Sequence, residues 1–414
     1  MSLLGQARRV WRGLAPEGVR RLAQPILAPM LEAHVRRQAR KPHGADGAAG
    51  GPIRIVGYFE GSHGIAASAR LAARAFEALG VPVERMDAAG AAFSWAPAGP
   101  APSPASAWIF HLNAPEMLAA LGQMGPRRVV GPRYGYWAWE LPRAPKPWLS
   151  DAAMADEVWV PSRYVAQSLA GARAPVRVVP HPLFLEDYAE VVPAPKRAAF
   201  QAVALFDFNS SAARKNPQGA IAAFAQAFGA DPAARLVLKT QNGALHPQAL
   251  AALRRGAPDN VEIIDASWPY SQVKALIAGS DVLLSLHRAE GFGLTPAEAL
   301  ALGTPVIATD WSGVSDFLDS SVAIMVPAGR TPVDDPQGIY RGQEWAEPDI
   351  AFAARALTEL RDDPARGRSL AAAGRRRVTE RLSPQAWFTT LPEAVKTAAM
   401  RAVGEHKRAP ARSV

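Results

Sequence analysis

Cysteine is absent from this chain of 414 residues. That excludes a disulfide framework, a thiolate metal site and a cysteine nucleophile, and it suits a reducing compartment. Long apolar runs are missing too: no stretch of about 18 such residues occurs, so the sequence predicts neither a bilayer-spanning helix nor a secretory leader. An Asp-x-Asp triplet is lacking and the eight histidines are scattered, so no metal ion is expected to bridge a phosphate. Charged residues make up 20% of the chain against 49% hydrophobic. Those proportions belong to a folded protein with disorder confined to its ends, and the length suggests two domains at roughly 150 residues each.

What charge there is lies unevenly. The formal net charge is +9, yet residues 1–41 alone hold nine Arg or Lys against Glu17 and Glu32. The remainder is close to neutral, which argues against nucleic acid as a partner. Apolar residues such as Trp11, Leu14, Leu27 and Leu31 stand between those cations. This is the pattern of a basic amphipathic helix on an anionic membrane surface, and a solvated tail fits it equally well. Residues 41–51 are glycine-rich and without period, so 1–50 reads as an arm and linker.

From Ile53 onward, apolar runs alternate with helical patterns. Strands are predicted at Ile53–Phe59, near Val83, and at Ala107–Leu112, Arg128–Val130, Tyr134–Trp139, Glu157–Val160 and Val176–Val179. Pro182–Arg197 breaks the rhythm with prolines and mixed charge and reads as the interdomain connection. Strands resume at Ala199–Phe208, Arg235–Thr240, Val261–Asp265, Val282–Leu286, Pro305–Ala308 and Ala323–Val326. Strand–helix alternation of this kind indicates an α/β fold with parallel sheets covered on both faces. Two Rossmann-like doubly wound domains, 51–190 and 191–380, would face a cleft at the C-terminal ends of their strands. Residues 381–414 form a last helical stretch and tail.

The chemistry concentrates in His287–Gly313, where Glu290 and Glu298 bracket the glycine-rich turn Gly291-Phe292-Gly293-Leu294 between a strand and a helix. Such a turn offers bare N–H groups and a positive helix end to an anion, while the carboxylates can hold sugar hydroxyls. Thr295-Pro296-Ala297-Glu298 also has the form of a capping box, which alone would account for Glu298. No capping need accounts for Glu290. A second anion site is suggested at Asp207–Pro217, where Arg214 and Lys215 sit just before the positive end of a helix. Cations there are disfavoured unless something negative lies between, and a diphosphate would serve. Gly61 and Gly64 flank a turn where backbone can approach a phosphate. His111 ends an apolar strand, and Trp139-Glu140 closes the aromatic run Tyr134–Trp139 before a proline turn, a suitable place to meet an acceptor hydroxyl.

The two glutamates, seven residues between them around Gly-Phe-Gly, resemble the signature of retaining glycosyltransferase family 4, of the bacterial polysaccharide type. The resemblance is strong over the second domain and weak over the first. It implies the GT-B fold, with the last helix returning to the first domain. It also implies that Glu290 holds hydroxyls of the donor sugar, that Glu298 holds the nucleotide ribose, and that His111 lies near the reacting carbon. Lys215 would bind the diphosphate. The arginine that the family places five or six residues earlier is replaced here by Ser210 and Asn209, which leaves Arg214 or Arg288 to supply a guanidinium. Gly61 and Gly64 would lie beside the diphosphate, and Glu140 and Trp139 on the acceptor side.

The function so implied is metal-independent transfer of a hexose from a nucleoside diphosphate sugar to a hydroxyl of a glycan or lipid-linked acceptor. GDP-mannose is the first candidate donor and UDP-glucose the second. The sugar nucleotide is a co-substrate, and no cofactor is expected. Retention would come from a front-face reaction, and the enzyme would be cytoplasmic, peripheral on the inner face of the cell membrane. The alternative is a sugar-nucleotide-binding partner protein that has lost transfer, motivated by Asn209 and Ser210.

Overall fold

The computed structural model describes residues 29–40, 51–61, 64–91 and 99–408, with side chains to residue 404. Strands β1 (Ile53–Gly57), β2 (Val83–Asp87), β3 (Ala107–His111), β4 (Arg133–Tyr136), β5 (Glu157–Val160) and β6 (Val176–Val178) make one parallel sheet in the order β2-β1-β3-β4-β5-β6. A second parallel sheet holds β7 (Phe200–Leu205), β8 (Ala234–Thr240), β9 (Val261–Asp265), β10 (Val282–Ser285), β11 (Val306–Thr309) and β12 (Ile324–Val326), in the order β12-β11-β10-β7-β8-β9. Both faces of each sheet are covered. In β3, Trp108 and Phe110 join one apolar cluster while Ala107 and Ile109 join another on the opposite face, as the two-residue period requires. That is why central strands such as β1 and β3 read as continuous apolar runs.

Strand order reverses between β1 and β3 in the first sheet and between β7 and β10 in the second. Ligands of open parallel sheets bind beyond the C-terminal strand ends at such switch points. The segments that leave those ends carry Gly61 and Gly64, His111, Arg214 and Lys215, and Glu290. Topology thus places most of the candidate residues at the two switch points, and contacts such as Ser162 Oγ with Gly291 O join the two.

The chain passes between domains twice. Leu183 N–H donates to Leu382 O at 2.6 Å, so the two crossings lie side by side. After the second, helices α9 (Pro384–Thr390) and α10 (Glu393–Arg408) return to the first sheet, where Trp387, Leu391, Val395 and Ala399 join the cluster of Ile53 and Phe76. Trp387 meets Phe76 edge-on at 5.0 Å. The other helices named below are α1 (29–39), α2 (Gly64–Ala78), α3 (Arg163–Ser168), α4 (Pro217–Phe228), α5 (Tyr270–Ala278), α6 (Leu294–Leu302), α7 (Ile350–Asp362) and α8 (Pro364–Leu382).

Four expectations need correction. Arg128–Val130 is not a strand: Gly125 adopts φ +81 and Pro126 opens a 3-10 turn over Pro126–Arg128. The aromatic strand stops at Tyr136, so Trp139 and Glu140 lie on the following loop rather than at a strand end. An antiparallel hairpin, β13 (Ala328–Pro332) with β14 (Glu344–Pro348), was not anticipated. Finally, the arm does not act as one unit. Leu31, Val35 and Ala39 of α1 are buried against the first domain, and Arg36 pairs with Asp151 at 2.6 Å. Burying Leu31 and Val35 contributes roughly 1.5–3 kcal/mol each, against about 1 kcal/mol for a basic residue near anionic lipid. Packing on the domain wins. Residues 1–28, with Trp11, and the linker 41–50 lie outside the described residues.

Candidate active site

Arg214 and Lys215 close the single helical turn Ala212–Lys215 after β7, just before α4. The chain is bent to hold them there. Ser211 and Asn216, on either side, adopt φ of +55 and +53, and Ser312 next to Glu290 adopts φ +70. These are three of the four non-glycine residues with positive φ among the described residues, and such conformations persist only where surroundings enforce them. Asn216 does so by accepting the Gly219 N–H at 3.1 Å, as cap of α4, while donating to Leu286 O at 2.9 Å.

The negative group that the two cations require is Glu290. Lys215 Nζ donates to Glu290 Oε1, and Arg214 Nη1 lies 3.1 Å from Oε2. Burial alone would push the Glu290 carboxyl up, but Lys215 and then Arg214 outweigh it and hold it down at about 2. Glu290 is therefore ionised across any working pH. Arg214 is buried and fixed further by bonds to Ala289 O at 2.8 Å and Ser210 Oγ at 2.8 Å. Ser210, at the position where an arginine was missed, serves to orient this one. Arg288 is committed elsewhere, to Glu347 at 2.9 Å and Ala213 O at 3.0 Å. Within the second domain two cations share one carboxylate. Across the seam Glu140 adds to the field on both of them.

The turn after Glu290 is tightly packed. Gly293 has φ +96, and a Cβ at Gly313 would lie 2.2 Å from Gly291 O. Glu290 N–H donates to Ser312 Oγ at 2.8 Å and Gly313 N–H to Glu290 O at 2.9 Å. Phe292 is buried between His181, 4.9 Å edge-on, and Phe317, so any contact it makes to a ligand falls to its backbone. Leu294 is the first residue of α6, with Gly293 as its cap. The capping box does not form. Thr295 lies inside the helix, and the Glu298 carboxylate instead accepts hydroxyls from Tyr188, at 3.3 Å, and Tyr270 of α5. Burial pushes Glu298 up to about 7, against both hydroxyl bonds, which lower it.

The first domain supplies a neutral counterpart. His111 is buried, shares a 2.9 Å hydrogen bond with Ser68 Oγ on α2, and stacks on Tyr136 with ring centres 4.5 Å apart. Tyr136 Oη lies 3.2 Å from His181 Nδ1, and His181 meets Phe292. Burial, then His181, lowers the His111 pKa to about 3, and burial lowers that of His181 to about 3. His111 Nε2 is buried without a hydrogen-bond partner among the described residues. His181 was not singled out from sequence, where it stands between Pro180 and Pro182 with no motif around it. Gly64 opens α2 beside Ser68, and Gly61 O accepts from Arg70 at 2.7 Å. Glu140 Oε2 accepts the Tyr340 hydroxyl at 2.8 Å, and the Trp139 ring packs on Tyr340 and Trp148. Tyr340 belongs to the loop of the unanticipated hairpin. Among the described residues no three His, Asp or Glu gather as a metal site.

Two cations clamped on a carboxylate before a helix, beside a glycine turn with a second carboxylate, lie within the segment that matches a known family. Residues 208–330 match the family described as Glycosyl transferases group 1. The match begins at the turn that carries Arg214 and Lys215 and includes both Glu290 and Glu298. The D-inositol 3-phosphate glycosyltransferase of Segniliparus rotundus is 35% identical over 104 residues, which span 24% of this chain and 23% of that one. The similarity to this curated relative therefore covers about a quarter of its length. Among solved structures, sucrose-phosphate synthase from Thermosynechococcus elongatus superposes with a TM-score of 0.60 at 17% identity, over 86% of this chain and 100% of the other. HepE from Anabaena, in complex with UDP and glucose, gives 0.55 at 12% identity, over 86% and 99%. At such identities these likenesses establish the fold: two Rossmann-like domains in the GT-B arrangement, with the match to the group 1 family lying in the second.

Proposed function

We propose that the chain is a retaining glycosyltransferase that moves a hexose from a nucleoside diphosphate sugar to a hydroxyl of a glycan or lipid-linked acceptor. The observation that carries this reading is the Arg214–Glu290–Lys215 cluster, which leaves the second domain with one positive charge in excess at a strand end facing the seam. A diphosphate matches that excess and the N-terminal end of α4. No divalent metal is needed in this reading, because Lys215 and Arg214 carry the phosphate charge. Glu290 would exchange its cations for sugar hydroxyls as the diphosphate arrives, and Glu298 would exchange the Tyr270 hydroxyl for the ribose. Retention would follow from a front-face reaction, with the departing diphosphate accepting the proton of the acceptor hydroxyl. His111, buried and neutral beside this centre, would shape the sugar pocket, and Glu140 with Trp139 would meet the acceptor. The group 1 match to the second domain supports the donor half of this reading.

The rival, a binding partner that has lost transfer, rested on Asn209 and Ser210; with Ser210 orienting Arg214, its motive weakens. Work at the inner face of a bacterial cell membrane, in polysaccharide assembly, remains part of the proposal, supported by five arginines against Glu17 in residues 1–28. Among the described residues no helix is long and apolar enough to cross a membrane. The test is turnover of GDP-mannose and UDP-glucose, separately and without acceptor. Slow release of free sugar from one of them is expected. Tight binding of a donor with no turnover, with or without a hydroxyl acceptor, would favour the rival.

A further inference from the structure

Ser312, whose Oγ accepts the Glu290 N–H, also lines a hollow of about 580 Å³. It adjoins another of about 280 Å³, and the two share Pro142, Trp311 and Arg330 as walls. Both domains contribute to this groove: Arg163 and Tyr164 come from α3, Arg330 from β13. Its size falls within the roughly 300–1,000 Å³ of small-ligand sites. A hollow of about 620 Å³ between α4, α7 and the start of α8 is walled by the second domain alone and includes none of the residues discussed above.

We propose that this seam groove is a subsite for an uncharged, hydroxyl-rich carbohydrate chain on the acceptor, an inference that rests on the glycosyltransferase reading above. Three observations support it. The walls are of the kind that hold sugars: the Trp311 indole meets Tyr164 edge-on at 6.1 Å, and the Arg330 guanidinium lies 5.2 Å over that indole. Aromatic surface packs against the C–H faces of sugars, while guanidinium and carboxylate groups bond their hydroxyls. The charge is balanced, since Arg143, Arg163 and Arg330 face Asp310, Asp316 and Glu344, and Arg163 is paired with Asp316 at 3.1 Å. A site for phosphate or an acidic polymer would carry a positive excess. The groove is also held in register with the donor centre. Arg143 N–H donates to Gln343 Oε1 at 2.9 Å and Gln343 Nε2 returns a bond to Arg143 O at 2.8 Å, so the hairpin loop is fixed to the first domain. Ser162, the cap of α3, donates to Gly291 O at 2.7 Å.

The full chain is to be applied to immobilised neutral trisaccharides (maltotriose, mannotriose, chitotriose) and to acidic heparin and hyaluronan tetrasaccharides, with donor hydrolysis measured on the same samples. Retention of at least one neutral trisaccharide is expected, weakened fivefold or more by Arg330→Ala and kept by Trp311→Phe, with donor hydrolysis unchanged in both variants. Retention of acidic chains alone, of no neutral chain, or of neutral chains equally by wild type and Arg330→Ala overturns the subsite. If wild type hydrolyses a donor yet retains no neutral chain, the subsite fails and the enzymic reading stands. If it retains such a chain but turns over no donor, the subsite stands and the enzymic reading fails.

Discussion

Across the seam, the second domain presents Arg214 and Glu290 as buried formal charges beside the half-buried Lys215, whereas the first presents His111, Tyr136 and His181 as a buried neutral column. Burial acts on both sides, with opposite results. On the charged side each ion has an opposite partner within hydrogen-bonding reach, so their mutual attraction outweighs the penalty of burial and Glu290 stays ionised. On the neutral side no carboxylate among the described residues is paired with the histidines, so burial strips their charge. The lesson is a division of labour: in the proposed reaction charge is managed where the diphosphate sits, while the facing domain shapes a dry pocket and receives the uncharged acceptor.

The contrast is broken most severely by removing a cation. Lys215→Ala takes away a donor aimed at developing diphosphate charge, a loss of roughly 10²–10³ in turnover by analogy with other preorganised electrostatic donors. Steady-state donor hydrolysis should show it, while Arg214 keeps Glu290 partnered and the melting temperature nearly unchanged. A Lys215→Ala enzyme as fast as wild type would remove the charged side from the chemistry.

pH sharpens the contrast. The two histidines, lowered to about 3, do not titrate between pH 6 and 8, whereas Glu298, pushed up to about 7, does. As the ionised ribose ligand, Glu298 should make nucleotide-sugar affinity rise about tenfold from pH 6 to pH 8. The same shift acts on stability with the opposite sign. The folded state holds this proton above the ordinary value of 4.5, so the stabilisation contributed by Glu298 is full below about pH 4.5 and is lost as pH rises through 7. Glu298→Gln should flatten both profiles. Calorimetric titration of wild type and variant at the two pH values checks it, and an equally steep affinity profile in the variant would assign the titration to another group.

How far these two sides were legible follows from how local their signals are. Glu157–Val160 reads with its observed bounds because a buried parallel strand is an apolar run, and the half-buried edge strand Val261–Asp265 does so through Val261, Ile263 and Ile264 between turn residues. Glu290, Glu298, Arg214 and Lys215 stand within short segments where strand, turn and helix follow one another, so their placement at one strand-end cleft could be inferred. Of the neutral column, His111 is legible at the end of its strand, but the column's link to the second domain is not. His181 acquires its place only through Tyr136, 45 residues earlier, and Phe292, far downstream. The hairpin was missed because Ala328–Pro332 and Glu344–Pro348 mix proline and charge on half-exposed strands outside both sheets. Its Tyr340 therefore entered the acceptor side unannounced.

The smallest expected effect concerns the arm. Because α1 packs on the first domain, the membrane proposal is tested by deleting residues 1–28 alone. Donor hydrolysis and melting temperature should stay within error of wild type, while cosedimentation with anionic phosphatidylserine vesicles at low salt should fall to background. Undiminished cosedimentation would move the anchor elsewhere.

The central claim, that Glu290 holds the donor sugar on the cationic cluster for transfer with retention, is tested most directly by proton NMR of the first sugar released from the hydrolysed α-linked donor. Wild type should release the α-anomer before mutarotation. Glu290→Gln, which swaps an acceptor-only carboxylate for a group that mispairs hydroxyl donors, should release the same anomer about 10–100-fold more slowly, as expected for losing ~1.5–3 kcal/mol of charged hydrogen bonds. Initial release of the β-anomer, or wild-type speed in Glu290→Gln, would contradict it.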